Sequence, residues 1–374
     1  MQYTEYELGE LLPFEQPTAY IVKSTDYCDA YATPVLTAGK SFILGKTNET
    51  DGIFDQLPVI IFDDFTTATQ FVNFRFKVKS SAMKILHINT DLVIPKYIFY
   101  RLQIIQFDHS THKRYWIQSY SKIKVLIPPL DEQFRIVARI EELFSELDKA
   151  VDTLKTTKEQ LEVYRQAVLK DAFSDFEKKD SIRNLTTVVT SGSRGWAKYY
   201  SNSGALFVRI GNLTHSGIDI DFRDIQHITP PDNAEGVRTR LQPNDVLVSI
   251  TADLGSIGFV SEKVEEAYIN QHIALVRFQN PVQGRFMAWY LRSEYGQKDL
   301  LKNKRGGGKL GLGLDDIRDT PVPIVSDLVA QKTVDEIEER LSVCDSIEKT
   351  VDATLAQADA MRQSILKQSF EEKI

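Results

Sequence analysis

The chain is poor in the features that mark several large protein classes. Among 374 residues there are only two cysteines, Cys28 and Cys344, and they lie in different halves. A disulfide framework is not expected, and a reducing cytoplasm suits the composition. No apolar run approaches the roughly 20 residues of a membrane span. The longest clean runs, Val59–Phe62 and Phe286–Leu291, suit a buried strand and a buried helix. The N-terminus, Met1-Gln2-Tyr3-Thr4-Glu5, lacks the basic and then apolar order of a signal peptide. The six histidines (87, 109, 112, 215, 227 and 272) show no metal-ligand spacing, so no metal site is expected.

Catalytic signatures are missing as well. The Asn/Asp-Pro-Pro-Tyr/Phe methyltransferase motif does not occur; the double prolines read Ile127-Pro128-Pro129-Leu130 and Thr229-Pro230-Pro231-Asp232. Glu177-Lys178-Lys179 and Glu371-Glu372-Lys373 spell the Glu-x-Lys of many nucleases, but in a charged link and at a frayed end. There is no Gly-x-Ser-x-Gly elbow. Gly308-Lys309 is followed by Leu310, and Asn303 stands where a P-loop needs its first glycine. Asp63-Asp64 is a carboxylate pair without a neighbouring histidine or acidic cluster. No catalytic residue is assigned, and the isolated chain is expected to have no turnover.

What is present is a heptad repeat, twice. Ile140, Leu147, Leu154, Leu161 and Val168 recur every seven residues, the seam of a coiled-coil helix. Ile337, Cys344, Val351, Ala358 and Ile365 repeat the seam 197 residues later. The endings match too, Arg165-Gln166-Ala167-Val168-Leu169-Lys170 against Arg362-Gln363-Ser364-Ile365-Leu366-Lys367. The chain therefore alternates globule and helix: 1–128, a helix at 129–176, 177–323, and a helix at 324–374. Asp131 is expected to cap the first helix and Ser326-Asp327 the second. Each helix would be roughly 65 Å long at ~1.5 Å per residue. Pairing the two seams antiparallel buries both and relates the globules by an approximate twofold axis. The expected fold class is mixed α/β, with two tandem globular domains separated by two long antiparallel coiled-coil helices. Two similar readers on one spacer suit a bipartite DNA site.

The net charge of −7 is unevenly placed. Residues 131–173 carry −3 and residues 326–373 carry −5, which leaves the remainder at +1. Whole-molecule steering toward DNA is therefore weak, and local phosphate contacts remain open. In the first globule Pro34–Lys40 reads as strand and turn, Leu57–Phe62 as a strand before the polar loop Asp63–Thr69, and Phe71–Val78 as a strand. Pro95 opens a helix, and Val125–Ile127 is a strand before a proline stop. The second globule repeats this order. Leu206–Asn212 stands for Pro34–Lys40, Val246–Ser249 for Val59–Phe62, and Thr251–Gly255 for the polar loop. Asn270–Ala274 stands for Ser80–Lys84, and Phe286, Trp289 and Leu291 for Tyr97, Tyr100 and Leu102. Residues 174–183 read as an exposed charged link.

The order globule–helix–globule–helix resembles the specificity subunits of Type I restriction-modification systems. So do Ile127-Pro128-Pro129-Leu130-Asp131-Glu132-Gln133 at the helix entrance, Arg165-Gln166 with Leu169-Lys170 near its end, and Pro34-Val35-Leu36-Thr37-Ala38-Gly39. The second entrance departs from the pattern, with Pro323-Ile324-Val325-Ser326-Asp327 in place of Pro-Pro-Leu. The resemblance implies that each globule is a target recognition domain reading half of a split double-stranded DNA sequence. It implies that the helices set the gap and dock two methyltransferase subunits. Those subunits bind S-adenosylmethionine and methylate adenine, and motor-nuclease subunits cleave with ATP and Mg2+. No cofactor is expected in this chain, and no membrane.

Candidate DNA contacts are cations, rings and amides near predicted turns. Lys302, Lys304, Arg305 and Lys309 flank three glycines that let backbone approach a phosphate; a solvated loop is the alternative. His112, Lys113 and Arg114, with Tyr115 and Trp116, offer the same to the first globule, or form a packed surface loop. Arg194 and Trp196 lie in a turn where arginine could read guanine, or make a salt bridge beside a core indole. Asn270 and Gln271 could read adenine or cap a strand end. Lys40, Lys84 and Arg209 lie beside turns and are equally consistent with plain surface charge. Two rivals remain: a coiled-coil scaffold with two protein-binding heads, and an enzyme built on Asp63-Asp64.

Overall fold

The computed structural model describes residues 3–37, 39, 41–109, 114–302, 304 and 310–371. It divides into two compact units, Met1–Leu154 with Asp352–Ile374, and Lys155–Val351. The division falls inside both long helices rather than at their ends, because each helix packs one half of its length against each globule. The helices themselves run Leu130–Phe173 and Asp327–Glu371.

In the first unit the central strand Val59–Asp63 is an unbroken apolar run, Val59-Ile60-Ile61-Phe62, buried on both faces. It pairs antiparallel with Met83–His87 on one side and Thr69–Val72 on the other. Phe14–Glu15 completes a four-stranded sheet. A second sheet orders Ile43–Thr47, Thr33–Leu36 and Lys77–Val78, and its last join is parallel. The single strand expected at Phe71–Val78 is thus two: the chain leaves one sheet after Val72 and enters the other at Lys77. Between them Phe76 meets Phe54 by mutual backbone hydrogen bonds. Thr4–Glu7 against Lys124–Ile127 closes the globule. Pro95 opens the helix Pro95–Leu102, where its missing N–H costs nothing.

The second unit repeats the plan. Val246–Ser249 is central, flanked by Ile273–Phe278 and Ile257–Phe259, with Thr186–Ser191 outermost. A second sheet orders Tyr200–Ser201, Gln226–Ile228, Ala205–Val208 and Ala267–Ile269, again ending in a parallel join. The helix Gly284–Arg292 takes the place of Pro95–Leu102. Register matches as well as order: Phe62 faces Lys84 across the first central pair, and Val248 faces Ala274 across the second. Residues 174–183 are not a bare link. Lys178–Ser181 pairs with Pro321–Pro323, the counterpart of the closure at Thr4–Glu7.

Each unit holds one antiparallel helix pair. In the first, Val137 and Ile140 share a core with Leu366 and Phe370, and the Arg362 guanidinium lies 5.0 Å over the Phe144 ring. In the second, Val168, Leu169 and Phe173 share a core with Ala330, Val334, Ile337 and Leu341. Arg165 bridges Asp345 (2.7 Å) and Glu348 (2.9 Å), while Arg340 reaches Asp171 (2.9 Å). Of the expected seam, Ile140, Leu147, Val168, Ile337, Cys344 and Val351 are buried, and Leu154, Leu161, Ala358 and Ile365 half-buried. A fully buried aliphatic seam residue contributes roughly 1.5–3 kcal/mol.

Asp131 is not the cap. The helix starts at Leu130, and the Pro129 carbonyl accepts from Glu132 (3.0 Å) and Gln133 (3.1 Å). Asp131 and Glu132 lie in the first turn, where negative charge complements the helix dipole. Gln133 locks this entrance to the globule: it accepts from Ile94 N–H (2.8 Å) and donates to the carbonyls of Leu92 (3.0 Å) and Pro128 (2.9 Å). Ser326 caps the second helix, with its carbonyl accepting from Ala330 (2.9 Å).

Candidate nucleic-acid interface

In the first unit the central strand runs out into the turn Asp63–Ala68. The Asp63 carboxylate holds that turn by accepting from Phe65 and Thr66 N–H, both at 2.9 Å. Three segments converge there. Asp64 N–H donates to the Ala82 carbonyl (3.2 Å), and the Asp64 carbonyl accepts from Tyr115 N–H (2.9 Å). Ser80 Oγ accepts from Ala82 N–H at 3.4 Å. The second unit makes the same bonds. Ile250 N–H donates to the His272 carbonyl (2.9 Å), and the Ile250 carbonyl accepts from Leu312 N–H (2.9 Å). Asn270 Oδ1 accepts from His272 N–H at 3.0 Å. Asp64, Ala82 and Tyr115 thus correspond to Ile250, His272 and Leu312. In both units the converging segments are the central turn, the entrance of the next strand, and the chain just after a basic group.

The side chains displayed differ. The first unit shows Phe65, 45% exposed, and Ser81. The second shows Thr251, Gln271 and His272, all half-buried and bonded to one another. Beside them His215 Nε2 holds Asp253 (2.8 Å), and this hydrogen bond keeps the Asp253 carboxyl below the usual carboxylate range. Ser256 Oγ lies 3.1 Å from the same His215 nitrogen, so one ring atom faces both partners and no nucleophilic relay forms.

No protein-family model matches the chain. The Type I restriction enzyme EcoR124I/EcoR124II specificity subunit of Escherichia coli is 45% identical over 174 residues, 43% of this chain and 43% of that one. Over that stretch the chain is similar to a Type I restriction enzyme specificity subunit. The EcoBI specificity subunit of Escherichia coli is 24% identical over 277 residues, 65% of this chain and 57% of the relative. The chain spans about half the length of those curated relatives. Among solved structures, a chain from work on complex assembly and conformational transition of the type I R-M system superposes with a TM-score of 0.70 at 16% identity, covering 100% of this chain and 98% of that one. The HsdS subunit from Thermoanaerobacter tengcongensis gives 0.56 at 15% identity, covering 100% and 97%. Both share the fold.

Several expected contact residues lie elsewhere. Lys84 is not at the surface: it is 1% exposed and its Nζ sits 3.2 Å from Asp64, itself 1% exposed. Its place opposite Phe62 turns it into the sheet's interior, where only an ion partner makes burial tolerable. Asp64 also accepts from Trp116 N–H (2.9 Å), so both Asp63 and Asp64 are committed to holding the fold. Trp196 is core. Its ring stacks on Phe207 (5.2 Å, 11°) and its Nε1 donates to Glu235. Gly195, at φ 87°, makes the turn that drives the indole inward. Tyr115 and Trp116 are buried as well. Asn270 is buried and spent on capping.

Arg114, Arg194, Lys302 and Lys304 are exposed. Arg209 is half-buried, its Nη2 3.6 Å from the Asp224 carboxylate, and lines a cleft with Asn212, Arg223 and Asn270. Arg223 grips Asp221 and holds that carboxyl at about 2. Lys40, His112, Lys113, Arg305 and Lys309 lie outside the described residues. Sequence reasoning missed Thr251 as the partner of His272, the ring that holds Gln271. It also missed Arg238, whose guanidinium clamps the Arg194 turn through Thr190, Ser191 and Ser193 Oγ (2.7 Å). Separations of 21 to 48 residues left no local mark. Among the described residues no cluster of three metal-ligating side chains occurs, and no helix is long and apolar enough to cross a membrane.

Proposed function

We propose that this chain is the DNA sequence-specificity subunit of a Type I restriction-modification complex, with each globule reading one half of a bipartite target. The observation that carries the proposal is the duplicated edge: the same backbone hydrogen bonds hold different side chains in the two globules. Two different half-sites call for that arrangement. Exposed cations beside each edge, Arg114 in one unit and Lys302 and Lys304 in the other, supply phosphate contacts. The long helices act as the spacer. Apolar side chains left exposed on them, including Phe134 and Val343, dock two methyltransferase subunits. Those partners carry S-adenosylmethionine and flip out the adenine they methylate. Motor-nuclease subunits bring ATP and Mg2+. The chain itself holds no cofactor, performs no chemistry and works in the cytoplasm.

The test is to co-express the full chain with methyltransferase subunits and map methylated adenines across the host genome. One split sequence is expected, with steeply salt-dependent binding by the complex. Methylation without a discrete motif, or binding indifferent to salt, would favour a protein-binding scaffold instead.

A further inference from the structure

Gln271 stands at the strand entrance of the second globule, half-buried, and its Nε2 lies 2.8 Å from His272 Nε2. The other imidazole nitrogen, Nδ1, bonds Thr251 Oγ1 on the central turn. The ring is therefore held from both sides and fixes the carboxamide in turn. A carboxamide has two N–H donors and one oxygen with two lone pairs. His272 engages one donor. One N–H and the oxygen remain, and among the described residues neither has another partner. A free donor beside a free acceptor on one planar group is the complement of adenine N7 and N6–H in the major groove.

The neighbourhood suits a base reader. Gly311 bridges Thr251, so the chain returning from the basic segment Lys302–Lys309 arrives beside this group. Asn270, the other amide here, is buried and already accepts from His272 N–H, whereas Gln271 is only half-buried and keeps a two-point edge. The first globule has Ser81 and Ala82 at the equivalent strand entrance and no such edge.

We propose that Gln271 reads one adenine in the half-site of the second globule, with His272 and Thr251 as its positioning residues. This rests on the DNA-reading function proposed above and adds the base and the residue that reads it. The probe is the complex assembled from the full chain and its methyltransferase subunits. It is assayed by its genomic methylation motif and by binding to duplexes altered one base pair at a time. Gln271→Ala should relax discrimination at a single A·T pair about 5- to 150-fold and leave every other position unchanged. Gln271→Glu, which keeps the size and accepts only, should shift preference at that pair toward cytosine, whose N4 amine donates. His272→Ala should lose part of the same discrimination without altering the salt slope, and His272→Gln, which can bond both neighbours, should restore it. A wild-type motif with unchanged discrimination in both Gln271 variants would overturn the adenine assignment and leave the specificity function standing. Absence of any motif in the wild-type complex would overturn both.

Discussion

The two central strands offer an internal control on a buried ion pair. In the first globule Lys84 and Asp64 face each other at 3.2 Å with 1% exposure each. At the equivalent positions the second globule has Ala274 and Ile250, 0% and 6% exposed. One scaffold thus tolerates either an ion pair or an apolar pair. Removing one partner strands the other charge, so Lys84→Ala or Asp64→Ile alone should each cost about 3–5 kcal/mol. Making both changes copies the second globule and removes both charges. It still leaves the Trp116 N–H without its acceptor, which costs about 1–3 kcal/mol. The double variant should therefore be less stable than wild type by about 1–3 kcal/mol, and more stable than either single variant. Amide hydrogen exchange of Ile60, Ile61 and Phe62 in the full chain reads the opening free energy of this strand. A double variant whose loss equals the sum of the two single losses, about 6–10 kcal/mol, would refute the proposed coupling.

Three further outcomes are expected. Replacing Lys304 and Arg305 with Ala should weaken DNA binding by the complex and lower its salt slope by about 1 to 2, and an unchanged slope would remove that segment from the interface. Gln133→Ala deprives three backbone groups of their partners at the first helix entrance and should destabilise the first unit by at least about 2 kcal/mol, read by denaturant unfolding. His215 holds Asp253 below its usual range, so the stabilisation of the 251–256 turn is present above about pH 4 and lost as pH falls through the lowered value. Carbon-13 titration should place the Asp253 midpoint below about 3.9, and His215→Ala should raise it.

The long helices were legible because an apolar residue every seven positions, sustained over five repeats, has few other structural explanations. Their ends, expected at 129–176 and 324–374, fall at Leu130–Phe173 and Asp327–Glu371. The alignment of Asn270–Ala274 with Ser80–Lys84 was also legible, since both follow a short break before an apolar strand. Its fine structure was not. Lys84 has a partner twenty positions earlier across a sheet, and only the strand register reveals that the two meet inside. Trp196 looked like a contact residue because it follows Ser-Arg-Gly; its stacking partner Phe207 belongs to a strand that had not been placed against it. Lys178–Ser181 read as a link because its pairing strand lies more than 130 residues away. Local sequence carries periodicity and turn chemistry well, and long-range pairing poorly.

The first unit is built from two stretches of chain, Met1–Leu154 and Asp352–Ile374, whereas the second is the single stretch Lys155–Val351. Leu366 and Phe370 fill the same core as Leu8 and Leu11, more than 350 positions earlier in the chain. On the ribosome, then, the order of completion is inverted. The second unit has its whole core once residue 351 has emerged, while the first unit waits half-built, with an apolar gap on its flank, until the helical turns that carry Leu366 and Phe370 arrive. A ribosome that stops just after residue 351 would release a finished second unit joined to an unfinished first one, and quality control would meet that first unit's open flank.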